Sequence, residues 1–223
     1  MRSKRLGVLV ATGACLIGSV AASMPASQAG AIFHTYTIKR GAATYLVAKA
    51  PNLFPSGTDD SVAQVAFPFP VSIYGKQHTT GWVSSNGNLQ FGSRPSAAFT
   101  NDCLPDSTLG NPVLSPYWDD LILRPNPSSP DGVFTVTDGV APNRKFAISW
   151  RGVDYSTGET AVRFEIVFTE GKPYFDFVYS DGDGYSATIG VQQSATGPAT
   201  QFLCNPGKHN VVTPGERLRF TYS

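Results

Sequence analysis

The chain has 223 residues, 41% hydrophobic and 12% aromatic, with 17 Lys plus Arg against 16 Asp plus Glu. A balance this close to neutral, with no basic stripe, argues against nucleic acid and anionic membrane as partners. The 22 Gly and 17 Pro are scattered between short apolar runs, which points to many turns rather than disorder, and no period of about 20–50 residues marks a repeat array.

Arg2, Lys4 and Arg5 precede a mostly apolar stretch from Leu6 to Val20, followed by Pro25 and the small-residue sites Ser27-Gln28-Ala29 and Gly30-Ala31. This is the layout of a secretory signal peptide over residues 1–29, with cleavage after Ala29 or after Ala31. The apolar run is shorter than the ~20 residues of a spanning helix, so no membrane span is expected once it is removed. Loss of those three basic residues leaves 14 against 16 acids, a net charge of −2, on residues 30–223. That length suits one all-β domain with a sizeable core. Cys15 leaves with the signal, and Cys103 and Cys204 remain. In an exported chain two cysteines most simply pair, with two separate buried thiols as the alternative.

The remainder has a period of two. Residues 34–49 predict two short strands parted by Gly41. A loop follows from Pro51 to Asp60, then a strand from Phe67 to Gly75 whose Pro68 and Pro70 keep its first half off a central ladder. Asn86-Gly87, between two alternating runs, predicts a hairpin because both residues tolerate positive φ. Residues 93–112 read as a long polar loop, and Val113 to Leu123 as one strand. Further on, Phe146, Ile148 and Trp150 alternate with Ala147, Ser149 and Arg151. Val162, Phe164, Ile166 and Phe168 repeat the pattern, as do Phe175, Phe177 and Tyr179, then Ala187, Ile189 and Val191, then Leu218, Phe220 and Tyr222. No window shows a helical period. The expected fold is all-β, an antiparallel, jelly-roll-like β-sandwich with one disulfide and an aromatic core.

The order of several blocks resembles the extracellular module named after nidogen, seen in many bacterial exported proteins. The blocks are Phe67-Pro68-Phe69, Tyr74-Gly75, Ser84-Ser85-Asn86-Gly87 with Leu89 and Phe91-Gly92, Pro116-Tyr117-Trp118-Asp119-Asp120, Phe146 to Arg151, Phe164 to Phe168, and Ala187 to Gln192. They cover roughly residues 65–205. The resemblance implies a secreted or surface sandwich module, mainly non-catalytic, concerned with adhesion or interaction. It brings no catalytic residue.

The candidate site is Ser115 to Leu121, with Tyr117, Trp118, Asp119 and Asp120 at its centre and Tyr185, or Tyr155, as a loop aromatic exposed beside it. Flat rings next to carboxylates suit a sugar or peptide groove, and the same residues suit the interior and loop caps of a sandwich. On one strand, Asp119 and Asp120 would point to opposite faces, which weakens an acid/base pairing. Asp181-Gly182-Asp183-Gly184 has part of a calcium loop. It lacks the third acid and the terminal Glu, so Asp181 and Asp183 would need Asp154 or Asp176 as further ligands. No other cofactor is expected. His34, His78 and His209 have no metal-ligand or triad spacing, and no nucleophile motif is present. Three classes stay open: a module binding an extracellular protein or matrix, a lectin-like glycan binder assisted by calcium, and an extracellular hydrolase, the last the least supported.

Overall fold

Apolar side chains at every second position can be buried only if the strands stack in two sheets, and the chain does this. The computed structural model describes residues 34–48, 51–55, 57–110, 112–124, 131–156, 160–209 and 211–223. The expected signal segment lies outside the described residues. So does residue 49, the end of the second strand expected in 34–49.

Thirteen strands and no helix are present among the described residues. They are β1 (Tyr36–Ala42), β2 (Val62–Ile73), β3 (Lys76–Ser84), β4 (Asn88–Gln90), β5 (Val113–Trp118), β6 (Leu121–Ile122), β7 (Gly132–Asp138), β8 (Lys145–Asp154), β9 (Ala161–Thr169), β10 (Tyr174–Asp181), β11 (Thr188–Gln192), β12 (Ala199–Cys204) and β13 (Glu216–Tyr222). A seven-stranded antiparallel sheet runs β1-β13-β10-β9-β8-β6, with β7 also paired to β8, and a six-stranded sheet runs β12-β11-β5-β4-β3-β2. The two form a β-sandwich.

One apolar cluster fills the space between the sheets. The Trp150 ring stacks on Phe164 at 5.3 Å and Phe164 on Tyr117 at 5.2 Å, so the aromatic pile crosses from one sheet to the other. Trp150 Nε1 donates to the Ser84 carbonyl at 2.8 Å, which satisfies the indole where no water reaches it. Burial of a ring this size stabilises by several kcal/mol, of the order of ~3 or more.

Three local expectations are corrected. Residues 34–49 do not form two strands. β1 ends at Ala42, and residues 43–48 cross the outer face of the seven-stranded sheet as an irregular strap. The hairpin expected at Asn86-Gly87 is present and joins β3 to β4, but it is not the two-residue turn; that turn is at Tyr74-Gly75, where φ is 47° and 74°, the two left-handed residues of a type I′ turn. Ser85, Asn86 and Gly87 form a three-residue loop in which only Gly87 is left-handed, with φ 74°. A Cβ there would meet the Tyr117 carbonyl oxygen at 1.9 Å, so this position admits only glycine. Finally, Val113 to Leu123 is not one strand. β5 belongs to the six-stranded sheet and β6 pairs with β8 in the other, so the chain changes sheets at Asp119-Asp120.

Both outer faces are covered. On the seven-stranded sheet the strap packs Ala43 and Leu46 against Ala147, Val167 and Val178. Beneath it the buried Glu165 accepts from the Leu46 N–H at 2.9 Å and the Ser149 hydroxyl at 3.0 Å. Burial pushes its carboxyl up to about 7, against which these two bonds act only in part. On the six-stranded sheet the loop after β4 folds back and is pinned by side-chain amides. Gln90 donates to Ser96 O at 2.6 Å and accepts from Ser96 N at 2.8 Å and Gly110 N at 2.7 Å. Gln192 accepts from Asp106 N and donates to Asp106 O, both at 2.7 Å. Gln201 accepts from Leu104 N at 2.7 Å. The Cys103–Cys204 disulfide, with Cα atoms 5.2 Å apart, fastens the same loop to β12.

Candidate functional site

The candidate segment sits where the chain leaves one sheet for the other. A register shift between β5 and β11 sets Pro116 and Tyr117 against a single partner position. The bulge frees the Pro116 carbonyl, which accepts from the Tyr179 hydroxyl at 2.9 Å. It also upsets strict alternation, so Tyr117 faces the inter-sheet core and Trp118 the outer face.

Neither ring is a surface platform. Tyr117 is 1% exposed and its hydroxyl accepts from Gly184 N at 3.2 Å. Burial drives that phenol's pKa well up. Trp118 is fully buried beneath the covering loop with Leu104, Leu109 and Val113, and its indole donates to Ala98 O at 2.8 Å. The reading of these two as contacts in an open groove is corrected by that packing: they shape the site from inside.

The carboxylates diverge because the strand has ended. Asp119, 5% exposed, accepts from the Ser186 hydroxyl at 2.6 Å and from Asp120 N at 3.0 Å. Ser186 Oγ also lies 3.2 Å from Asp154 Oδ2, and Asp154 is bonded in turn by Ser156. The Ser186 hydroxyl thus stands between two carboxyl groups, closer to Asp119 than to Asp154. Burial first, with Asp154 repulsion behind it, pushes Asp119 up to about 6 despite the Ser186 bond.

Asp120 turns the other way, toward Asp59 and Asp60, with which it forms a group of three carboxylates. Partial burial and then repulsion from Asp60, Asp59 and Asp154 raise its pKa. The buried Asn86 is the hub between these loops, a role its place in a hairpin motif did not suggest. It donates to Asp60 Oδ1 at 2.8 Å and to Ala97 O at 2.9 Å, and accepts from Leu121 N at 3.0 Å.

Asp181 and Asp183 do not converge with Asp154 or Asp176 on a shared point. Asp181 closes β10 opposite Arg163. Asp183 accepts from Tyr185 N at 2.9 Å and pairs with His209, whose ring stacks on Tyr185 at 4.4 Å. The other three-member group among the described residues, Asp102 with Cys103 and Cys204, has both thiols consumed by the disulfide.

The exposed rings of this region are Phe99, Tyr155 and Tyr185, at 47%, 58% and 45% exposure. All three are tied to the same network. Tyr155 N donates to Asp120 O at 2.8 Å, Tyr185 precedes Ser186, and Asn101, two residues after Phe99, donates to Ser186 O at 2.6 Å. Tyr155 and Tyr185 are the loop aromatics the sequence offers as a platform, whereas Phe99 is not singled out by sequence, since an isolated aromatic in a loop carries no periodic signal.

The NIDO-related family profile matches residues 35–214. The chain belongs to the NIDO-related family. Its members are extracellular-type β-modules, and the match takes in both sheets apart from β13. No curated protein and no solved structure gives a significant match. Among the described residues no helix is long and apolar enough to cross a membrane.

Proposed function

We propose that this NIDO-related chain is a secreted interaction module that binds an extracellular protein or matrix partner through the loop surface carrying Phe99, Tyr155 and Tyr185. The observation that carries the reading is that three exposed rings stand on loops whose backbones are hydrogen-bonded to one network. Loops pinned this way lose little entropy on binding, which is what contact residues need. Asp59, Asp60, Asp120 and Asp183 surround them, so the matching partner surface is basic.

Immobilised extracellular matrix proteins, titrated with the purified chain, test this. Saturable binding that weakens about tenfold or more in a Phe99→Ala, Tyr155→Ala, Tyr185→Ala triple variant, and that falls with salt, is the expected result. A glycan ligand is the second reading, favoured by the Tyr185–His209 stack beside Asp183. Signal on a glycan array, with or without added calcium, and silence on the protein panel would replace the first reading with the second.

A further inference from the structure

The outer face of the seven-stranded sheet holds a pocket of about 370 Å³ between the strap and the strands β8, β9, β10 and β13. Two cross-strand rows build it. In one, Ser149, Glu165, Val178, Arg217 and Gly41 lie side by side; in the other, Ala147, Val167, Asp176, Arg219 and Lys39. The strap lies over the first row and leaves the pocket along the second. Its floor is apolar, from Val167 and Val178 with Ala43 and Leu46, and its polar lining is Lys145, Arg217, Arg219 and Asp176.

The three cations are not equally engaged. Arg219 clasps Asp176 with both prongs, at 2.7 and 2.8 Å, and lies 3.8 Å over the Tyr174 ring. That fork occupies both Asp176 oxygens, and Arg217 Nε stands 3.9 Å from Oδ1, beyond a hydrogen bond. The Arg217 Nε–H is shut away from water and has no acceptor among the described residues. A buried donor left without a partner is costly, by ~1–3 kcal/mol, and a charged one by more. The guanidinium is also held in place. It lies across Gly41, where a Cβ would meet Nη2 at 2.7 Å. Lys145 stands exposed on the opposite wall.

We infer that this pocket binds a small oxyanion, a carboxylate or a sulfate ester, carried on a compact apolar body. The anion pairs with the exposed part of the Arg217 side chain, 23% of which is open to solvent, and faces Lys145, while the body rests on Val167 and Val178. A neutral analogue brings no charge to pair with Arg217 and Lys145, and an ammonium brings neither an acceptor nor the right sign. The pocket lies on the outer sheet face and shares no lining residue with the loop surface proposed above, so either reading stands without the other.

The test is a titration of the ¹⁵N-labelled protein with benzoate and with phenyl sulfate, following the backbone amide resonances of Val167 and Val178 in every variant and the Arg217 Nε–H where Arg217 is present, with benzyl alcohol and benzylamine as controls. The expected result is a saturable shift with at least one anion, at least tenfold weaker in Arg217→Gln and weaker in Lys145→Gln, and none with the controls. Benzoate and phenyl sulfate, compared, tell which oxyanion the pocket prefers. Because Arg217→Gln could disturb the sheet, Ala43→Trp, which fills the pocket from the strap, must abolish the shift independently. No saturable shift with either anion, equal binding in Arg217→Gln, or equal binding of benzyl alcohol overturns the inference.

Discussion

The two sheets cover their outer faces by different chemistry. The seven-stranded sheet uses a six-residue strap whose anchor is a carboxyl group, Glu165, pushed up to about 7 by burial. The six-stranded sheet uses a loop of roughly three times that length, held by the uncharged amides of Asn86, Gln90, Gln192 and Gln201 and by the Cys103–Cys204 bridge. An amide offers donor and acceptor at once and can copy a strand's hydrogen bonding at any pH. A carboxyl group can satisfy the strap fully only while its charge is not desolvated. The long cover is therefore indifferent to pH and sensitive to redox state, and the short one is the reverse.

Four experiments break or sharpen that contrast. The largest effect is expected from Cys103→Ser with Cys204→Ser. The bridge spans 101 residues of sequence, and its loss should cost about 4–5 kcal/mol in chemical denaturation. Next, Gln90→Ala orphans Ser96 N, Ser96 O and Gly110 N and should cost about 2–4 kcal/mol, with faster amide exchange across residues 96–110. A loss under ~1 kcal/mol would mean the amides do not hold the cover.

The third concerns the strap. The folded pKa of Glu165, about 7, lies above its ordinary 4.5, so across that window the folded chain keeps a proton that the unfolded chain has released. Stability falls as pH rises from 4.5 to 7 and stays lower above it. Glu165→Gln should remove this slope, gaining roughly 2–3 kcal/mol on the wild type between about pH 4 and pH 8 in urea melts. Asp119, raised from 3.8 to about 6, gives a slope of the same sign that survives in the variant. Smallest of all, Tyr155→Ala and Tyr185→Ala should change stability by no more than ~0.5 kcal/mol, since both rings stand in solvent. A larger loss would make them structural and remove them from the proposed binding surface.

Strict alternation made the core readable in advance. Phe146, Ile148, Trp150, Phe164, Ile166, Phe168, Phe175 and Phe177 all face inward, and Cys103 pairs with Cys204 as the two thiols outside the expected signal segment suggested. What alternation does not carry was missed. The bulge at Pro116-Tyr117 turns Trp118 to the outer face, and the sheet change at Asp119-Asp120 depends on a ladder set by distant β8 and β11. Asn86, Gln90 and Gln192 look like ordinary polar strand-end residues; their work is done on a loop whose path has no period. Residues 43–48 read as strand because their apolar side chains do face a sheet, but from across it rather than within its ladder.

The cystine also decides how the molecule comes apart under proteases. A single cut anywhere between Cys103 and Cys204 leaves both fragments covalently joined, so a non-reducing gel shows one intact band and only a reductant reveals the nick. A cut between Ser93 and Asp102 falls ahead of the bridge. The released piece, β1 to β4, then stays only through non-covalent contacts, among them its ladders with β13 and β5, the strap and its share of the aromatic pile. Within the covering loop, it is the stretch ahead of Cys103 where one broken peptide bond can divide the domain.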